Sequence, residues 1–216
     1  MNILKGKKIL TDMVLNEIIS GFNDIAVDVG TGDGRFVYKQ AKLNPQTFYI
    51  GMDPAAENMM EYASKIVKKP SKGGLVNALY VVSNLEDLPD EMADLANHIF
   101  INLPWGSLLE GVSKGRSEVL DNLVKLAKAP LASLDICFTY SVLHEAGEME
   151  RRDLPQLSLD YINEVVVPLY KDRGITVNSV DTISNETLKE YDTQWSKRLG
   201  FGRTRDVFRI RADIIK

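Results

Sequence analysis

The 216-residue sequence has a single cysteine, Cys137, so no disulfide can form within the chain. No apolar run approaches the roughly 18 residues that a membrane-spanning helix needs. The N-terminal residues have no hydrophobic stretch of the kind found in a secretory signal. These absences predict a cytoplasmic protein in a reducing compartment, and we expect neither a membrane partner nor a bound metal.

The composition is that of an ordinary globular chain, with 44% hydrophobic and 26% charged residues. We predict one domain over residues 1–216. The net charge of −4 argues against a protein that coats nucleic acid without specificity, although it leaves room for a local basic face. Two clusters of basic residues provide candidates, the first being Lys65, Lys68, Lys69 and Lys72 and the second Lys197, Arg198, Arg203, Arg205, Arg209 and Arg211.

Apolar runs alternate along the chain with amphipathic stretches. The apolar runs predict strands over 25–29, 48–52, 79–82, 99–103, 134–140, 175–183 and 207–215. The amphipathic stretches predict helices over 35–42, 55–68, 117–128, 159–172 and 185–199. This alternation is typical of an α/β fold with a mainly parallel sheet and helices on both faces. The last two strands are expected to form an antiparallel edge, and residues 1–12 a small hairpin around Lys5-Gly6.

A glycine-rich loop follows the first long strand and reads Asp28-Val29-Gly30-Thr31-Gly32-Asp33-Gly34-Arg35. Glycines at such a strand-to-helix turn let the backbone approach a ligand closely. Nicotinamide-binding loops have the spacing G-x-G-x-x-G, whereas here Arg35 takes the place of the third glycine. Asp28 and Asp33 would repel a pyrophosphate at the helix N-terminus, so they favour a ligand with cationic groups.

Further acidic residues follow the next two strands. Asp53 ends the second strand, where a carboxylate commonly accepts a hydrogen bond from a ribose hydroxyl. Glu86 and Asp87 follow the third strand and could reach an adenine edge. The alternative is a glycine turn without a ligand, flanked by acidic residues exposed to solvent. The glycine loop and the acidic residues after three successive strands together favour a ligand site.

The glycine loop together with Asp53 resembles the cofactor motifs of class I S-adenosylmethionine-dependent methyltransferases. The resemblance implies a Rossmann-like, seven-stranded sheet whose last strand is antiparallel. It also implies that the methionine end, the ribose and the adenine of the cofactor contact a set of residues at the ends of the strands. The predicted cofactor-binding residues are Asp28, Gly30, Gly32, Asp33, Asp53, Asn84, Leu85, Glu86, Asn102 and Ser107.

The two tryptophans of the chain are candidates for holding the substrate. Trp105 follows the fourth strand in Asn102-Leu103-Pro104-Trp105, and the carboxyl ends of such strands face the ligand crevice. Trp195 precedes the second basic cluster. Either residue alone fits a core position, but the pair suggests two rings that stack on a flat base, worth about 1–3 kcal/mol per base.

Four segments, over 28–35, 68–75, 104–110 and 195–205, resemble the 16S ribosomal RNA adenine-N1 methyltransferases that confer aminoglycoside resistance. The resemblance spans nearly the whole chain, with departures at Asn102 and Leu103. It implies a monomer that acts on the small ribosomal subunit and holds a flipped adenine between Trp105 and Trp195. Arg205 would steady the extruded nucleotide, and residues 141–157 and 184–204 would form substrate-side loops or helix. The implied RNA-binding residues are Lys65, Lys68, Lys69, Lys72, Arg151, Arg198 and Arg203.

The chemistry of adenine N1 requires no general base, because this nitrogen carries a free lone pair at neutral pH. Structural roles are favoured for the two histidines, since His98 begins a predicted buried strand and His144 lies in an acidic segment.

Several alternative functions stay open. They are a tRNA guanine-N7 methyltransferase, an amino-directed methyltransferase using Asn102, a small-molecule methyltransferase, and a non-catalytic RNA-binding module on the same fold.

Overall fold

The computed structural model describes residues 1–183 and 206–216. Within these residues nine strands form one sheet. The strands are β1 (Ile3–Lys5), β2 (Lys8–Leu10), β3 (Asp24–Val29), β4 (Thr47–Asp53), β5 (Ala78–Val82), β6 (His98–Asn102), β7 (Leu131–Phe138), β8 (Ile175–Ile183) and β9 (Val207–Ile215). Their order across the sheet is β2-β1-β5-β4-β3-β6-β7-β9-β8.

The helices of the described residues connect these strands. They are α1 (Leu15–Ile19), α2 (Arg35–Leu43), α3 (Ala56–Ile66), α4 (Gly106–Lys114), α5 (Ser117–Leu126), α6 (Val142–Arg152), α7 (Leu159–Tyr161) and α8 (Val167–Lys171). Short 3-10 turns occupy Pro70–Lys72 and Asp90–Met92. The helix predicted over 185–199 lies outside the described residues.

The pairing of the strands confirms the predicted fold class. Strands β5, β4, β3, β6 and β7 are parallel neighbours, whereas β9 runs antiparallel between β7 and β8. The predicted N-terminal hairpin is also present, because β1 pairs with β2. Its first strand continues the sheet by pairing antiparallel with β5. The hairpin therefore extends a seven-stranded sheet at the β5 edge.

The core lies on both faces of this sheet, because side chains along a strand alternate between faces. Val27 and Val29 of β3 belong to the cluster that includes residues of α4 and α5. Ala26 belongs to the second cluster, which includes residues of α2 and α3. Strands buried on both faces read as continuous apolar runs, which is why periodicity located them well.

Four stretches differ from the sequence-based expectation or make it more specific. Helices α1 and α4 were not predicted, and residues 141–157, expected as substrate-side loops or helix, contain α6. The helix predicted over 159–172 is divided by a π-helical turn at Ile162–Val166. Pro168 follows this turn and has no N–H to donate to the carbonyl of Glu164, so a regular α-helical ladder cannot run through it.

Candidate active site

The carboxyl ends of β3, β4, β5 and β6 enclose a cleft of about 400 Å³. This volume lies within the range of small-molecule sites. Trp105 lies on its wall. The structure brings all ten predicted cofactor-binding residues to this one cleft, namely Asp28, Gly30, Gly32, Asp33, Asp53, Asn84, Leu85, Glu86, Asn102 and Ser107. Sequence reasoning missed other lining residues, including Thr31, Pro54, Asn58 and Leu108.

The glycine loop wraps the end of β3 with three glycines in the left-handed region. Gly30 has φ 73° and Gly32 φ 59°. A Cβ on Gly30 would lie 2.7 Å from Cδ2 of Leu108, so no other residue fits there without movement. A Cβ on Gly32 would meet no atom within 4 Å. The backbone of Gly32 therefore borders open space, as expected of a loop that a ligand approaches.

Asp28 is the buried carboxylate of the cleft, with 2% of the residue exposed. Burial raises the pKa of Asp28 to about 7, and the nearby charges of Asp53 and Asp33 act in the same direction. The side-chain amide of Asn102 donates a hydrogen bond to Oδ1 of Asp28 at 2.9 Å, which lowers this pKa. A buried carboxylate in this state favours a cationic ligand group.

Asp53 links the end of β4 to the glycine loop. Its Oδ2 accepts a hydrogen bond from the backbone N–H of Gly32 at 3.0 Å, and its Oδ1 accepts one from Ala55 at 2.9 Å. Each carboxylate oxygen has two lone pairs, so both can still accept from a ribose hydroxyl. Asp53 thus holds the loop and faces the cleft with the same side chain.

Tyr80 of β5 packs against the glycine loop and hydrogen-bonds to it, a role that the sequence did not reveal. Its hydroxyl donates a 2.7 Å hydrogen bond to the carbonyl oxygen of Gly34. A Cβ on Gly34 would lie 2.4 Å from Cε1 of Tyr80, and Gly34 has φ 76°. Next to it, Asp33 accepts a hydrogen bond from the N–H of Arg35 at 3.0 Å, at the start of α2.

The chain turns sharply after β6, where Leu103 has φ 52°. A left-handed conformation in a non-glycine residue before a proline is strained, and strain of this kind is concentrated at functional sites. The turn is held by a 2.7 Å hydrogen bond from the Leu103 N–H to the carbonyl of Cys137. It delivers Trp105, 46% exposed, to the N-terminus of α4 beside the cleft.

The predicted RNA-binding lysines lie at the end of α3 and in the loop after it. Lys68, Lys69 and Lys72 are exposed. Lys65 is instead paired with Glu61 at 2.9 Å and lies over the ring of Tyr62, 4.3 Å from its centroid. Its charge is therefore less available to a partner than the other three.

Helices α4 and α6 are joined by a cluster of ion pairs centred on Glu110, a residue that sequence reasoning missed. Glu110 is 8% exposed and pairs with Arg116, with Arg152 at 3.2 Å and with Lys114 at 3.5 Å. Arg152 also pairs with Glu148 of its own helix. Arg151, predicted to contact RNA, likewise pairs with Glu148, but its side chain stays 64% exposed.

Four of the predicted site residues lie outside the described residues, namely Trp195, Arg198, Arg203 and Arg205.

His98 is less buried than predicted, since its side chain is 43% exposed. Its Nε2 lies 3.1 Å from Asp24 and its Nδ1 2.7 Å from Ser133, at the amino end of β6. His144 lies in α6 rather than in a loop. Among residues 1–183 and 206–216, no group of three His, Cys, Asp or Glu side chains could hold a metal.

The fold and the cleft together define a class I S-adenosylmethionine-dependent methyltransferase. The glycine loop at the end of β3, Asp53 at the end of β4 and the antiparallel β9 all match this class. A family model described as 16S rRNA (adenine(1408)-N(1))-methyltransferase, NpmA, matches residues 2–214. The chain belongs to this family.

Individual relatives agree over the whole chain. The 16S rRNA (adenine(1408)-N(1))-methyltransferase of Escherichia coli is 42% identical, covering 100% of both chains. The enzyme of the same name from Catenulisporales acidiphilia, solved as a tryptophan-to-alanine variant with S-adenosylmethionine, is 33% identical with a TM-score of 0.90, covering 100% of this chain and 97% of that one. The 16S rRNA methyltransferase KamB has a TM-score of 0.89 at 30% identity, covering 100% of both chains.

The similarity to a tRNA guanine-N7 methyltransferase is more limited. The protein of that name from Bacillus cytotoxicus is 35% identical over 72 residues, which is 33% of this chain. An amino-directed reaction would need the side-chain oxygen of Asn102 to accept from the substrate amine, and the hydrogen bond to Asp28 engages only the amide nitrogen. The guanine-N7 similarity covers a third of the chain, whereas the adenine-N1 family model matches residues 2–214.

Proposed function

We propose that this protein transfers the methyl group of S-adenosylmethionine to N1 of adenine 1408 in 16S rRNA and so confers aminoglycoside resistance. The proposal rests on one cleft, which is lined by all ten predicted cofactor-binding residues and by Trp105. The chain that forms this cleft belongs to the adenine-N1 methyltransferase family. A methyl group and a positive charge on the Watson–Crick edge of the adenine would block the hydrogen bond that a cationic drug makes there.

The cleft fits the cofactor on grounds of charge and shape. Asp28 offers a buried carboxylate to the ammonium group of the methionine end, and the glycine loop leaves open space beside it. Asp53 has lone pairs for the ribose hydroxyls, and Asn84, Leu85 and Glu86 line the wall after β5, where the adenine would lie. The bound cofactor supplies an electrophilic methyl group on a sulfonium.

Trp105 supplies the surface on which the target base stacks. It is half-exposed at the start of a helix and stands beside Asn102 and Ser107 on the cleft wall. Trp195 would cover the opposite face of the base, and Arg205 would hold the extruded nucleotide through a phosphate. Flipping costs a few kcal/mol, which stacking and backbone contacts offset.

The protein contributes position rather than proton transfer. The N1 lone pair attacks the methyl group directly, so the side chains need only orient the base and exclude water. His98 lies at the amino end of β6, away from the carboxyl end where the cleft opens. This agrees with a reaction that uses no histidine base.

The partner is the small ribosomal subunit, and we propose that the protein acts on it as a monomer in the cytoplasm, as one domain over 1–216. No helix of the described residues is long and apolar enough to cross a membrane. Exposed Lys68, Lys69 and Lys72 would bind the rRNA backbone, with Arg151, Arg198 and Arg203 as further contacts. Light scattering of the purified protein and of its mixture with subunits tests the stoichiometry.

Primer extension on 16S rRNA from subunits treated with the protein and S-adenosylmethionine tests the proposal, because a methyl on N1 stops reverse transcriptase. We expect a new stop at adenine 1408 that is lost in Asp28→Ala and Trp105→Ala and kept in Leu43→Ala, a control at the end of α2 that is 73% exposed. Calorimetry should show that Trp105→Ala still binds the cofactor. Cofactor binding by the natural protein without any stop would refute the N1 assignment.

A further inference from the structure

The turn of the N-terminal hairpin carries three lysines that the proposed function does not use. Lys5 ends β1, Lys8 begins β2, and Lys7 lies between them. All three side chains are exposed. Lys5 and Lys8 are also direct cross-strand partners. Like charges opposite each other destabilise a strand pair, so local stability does not explain this choice of residues.

The hairpin turn lies against the basic loop after α3. A Cβ on Gly6 would lie 4.0 Å from Cγ2 of Val67, the residue that directly precedes Lys68. Leu4 of β1 packs in the same buried cluster as Ile66 of α3. The two lysine-bearing segments are thus neighbours in space, although about 60 residues separate them in sequence.

The loop after α3 has a defined backbone, so its lysines have fixed anchoring points. Residues Pro70–Lys72 form a 3-10 turn, closed by hydrogen bonds from the N–H groups of Lys72 and Gly74 to the carbonyl of Lys69. The Tyr38 hydroxyl donates a 3.0 Å hydrogen bond to the carbonyl of Gly73. A preorganised loop loses less conformational freedom when it binds a partner.

None of these six lysines has a carboxylate within 4.0 Å among the described residues, unlike Arg116, Arg173 and Arg211, which pair with acids. The chain as a whole has a formal charge of −4, so everything outside the six lysines carries −10. Positive charge is therefore gathered here against an acidic background, which is typical of a surface that meets polyphosphate.

We propose that Lys5, Lys7 and Lys8 form one continuous RNA-binding surface with Lys68, Lys69 and Lys72, and that the hairpin binds the phosphate backbone of an rRNA helix beside the target. We call these six residues the lysine surface. The proposal rests on the proposed function, since it takes the rRNA of the small subunit as the ligand. The hairpin is then a substrate-binding element as well as an edge of the sheet.

Edge lysines also have a structural use, because they discourage pairing between the exposed edges of two sheets. That explanation applies to β2, the edge strand, which contains Lys8. It does not account for Lys7 in the turn, nor for the contact with the basic loop after α3. The two explanations predict different consequences of removing the charges, which makes them separable.

The test is the salt dependence of binding to the small subunit for the triple variant Lys5→Gln, Lys7→Gln, Lys8→Gln. Each lost phosphate contact lowers the slope of log K against log salt by about 0.7–0.9. We expect the slope to fall by about 2 and binding at 0.1 M salt to weaken about 10-fold or more. The matched control is Lys42→Gln, Lys128→Gln, Lys171→Gln, which removes the same charge outside both segments and should leave the slope unchanged.

Cofactor affinity should not change in the hairpin variant and its melting temperature should not fall, which shows that it folds. The same loss of affinity is expected with a protein-free RNA duplex. An unchanged slope, or self-association of the variant with normal subunit binding, overturns the proposal in favour of edge protection. Weaker binding to subunits but not to the duplex overturns it in favour of a ribosomal protein. If the natural protein binds subunits but gives no stop at adenine 1408, the proposed function fails instead.

Discussion

Replacing Asn102 with leucine should shift the pH dependence of cofactor binding to higher pH. The Asn102 amide donates to the buried carboxylate of Asp28 at 2.9 Å. This hydrogen bond favours the ionised carboxylate, the form that attracts the cofactor ammonium group. Leucine has the same number and branching of side-chain heavy atoms but no donor. The protonated form of Asp28 should therefore persist to higher pH in the variant.

The size of the shift follows from the environment of Asp28. Burial raises its pKa to about 7, so both the protonated and the ionised form of Asp28 are accessible near neutral pH. The other ionisable groups facing Asp28 are Asp33, Asp53 and Tyr80, and the substitution leaves them in place. A hydrogen bond to a charged group contributes about 1.5–3 kcal/mol. Since one pKa unit corresponds to about 1.4 kcal/mol, the pKa should rise by about 1–2 units.

Calorimetric titration with S-adenosylhomocysteine between pH 5.5 and 9 measures this effect. This compound keeps the ammonium group and tolerates alkaline conditions. We expect Asn102→Leu to weaken binding about 5-fold to 50-fold at pH 7, in proportion to the lost ionised fraction, and to recover much of the loss near pH 9. Asn178→Leu is the matched control, because its amide also donates to an aspartate at 2.9 Å, but on the exposed strand β8.

The form of the pH profile decides the outcome. A loss of affinity that is equal at every pH would mean that Asn102 only shapes the cleft. Unchanged binding at pH 7 would mean that its hydrogen bond does not control the charge of Asp28. Either result would refute the reasoning, whereas a displaced midpoint is not expected from a purely structural defect.

Three further predictions concern the same region. Folding raises the pKa of Asp28, so between about pH 4 and 7 this carboxyl is protonated in the folded state and ionised in the unfolded state. The free energy of unfolding therefore falls over that window as pH rises, by up to about 4 kcal/mol. Asp28→Asn should therefore abolish cofactor binding yet raise the melting temperature at pH 8, and a gain just as large at pH 4 would contradict this. Tyr80→Phe removes one of the two hydrogen bonds to the Gly34 carbonyl, the other coming from the N–H of Tyr38, and should cost about 1 kcal/mol in urea unfolding. Gly34→Ala should cost more, and the reverse order would refute the packing argument. Glu110→Gln should slow methylation of subunits more than it weakens cofactor binding, since Glu110 joins α4 to α6, and equal losses would exclude this role.

Most of the fold was predictable because its signals are local. Strands buried on both faces give apolar runs, and β8 and β9 match their predicted bounds. Helices α4 and α6 were missed for different reasons. Helix α4 begins at Gly106 and contains Gly111, both poor helix formers, and α6 has only one buried residue, Met149. Tertiary contacts such as the Glu110 ion pairs hold these helices, and periodicity does not reveal such contacts.

The gathering of the predicted site residues around one cleft was predictable because topology brings the ends of neighbouring strands together. Nine of the ten predicted residues lie in a loop that follows β3, β4 or β5 or near the end of β3, β4 or β6, and the tenth, Ser107, lies in the first turn of α4. The support from Tyr80 and the strained turn at Leu103 were not predictable. They depend on a ring packing under a distant loop and on a backbone angle, and no spacing in the sequence encodes either.

The uneven charge of the molecule also affects what it rejects. Outside the lysine surface the formal charge is −10, even with the second basic cluster included, so many orientations bring like charges together when the protein meets a nucleic acid. Repulsion of this kind is a source of selectivity, because it penalises wrong partners and wrong poses without improving the right one. A cell contains far more tRNA and mRNA than target helices. With the lysine surface as the proposed rRNA contact, the enzyme should spend little time on those competitors.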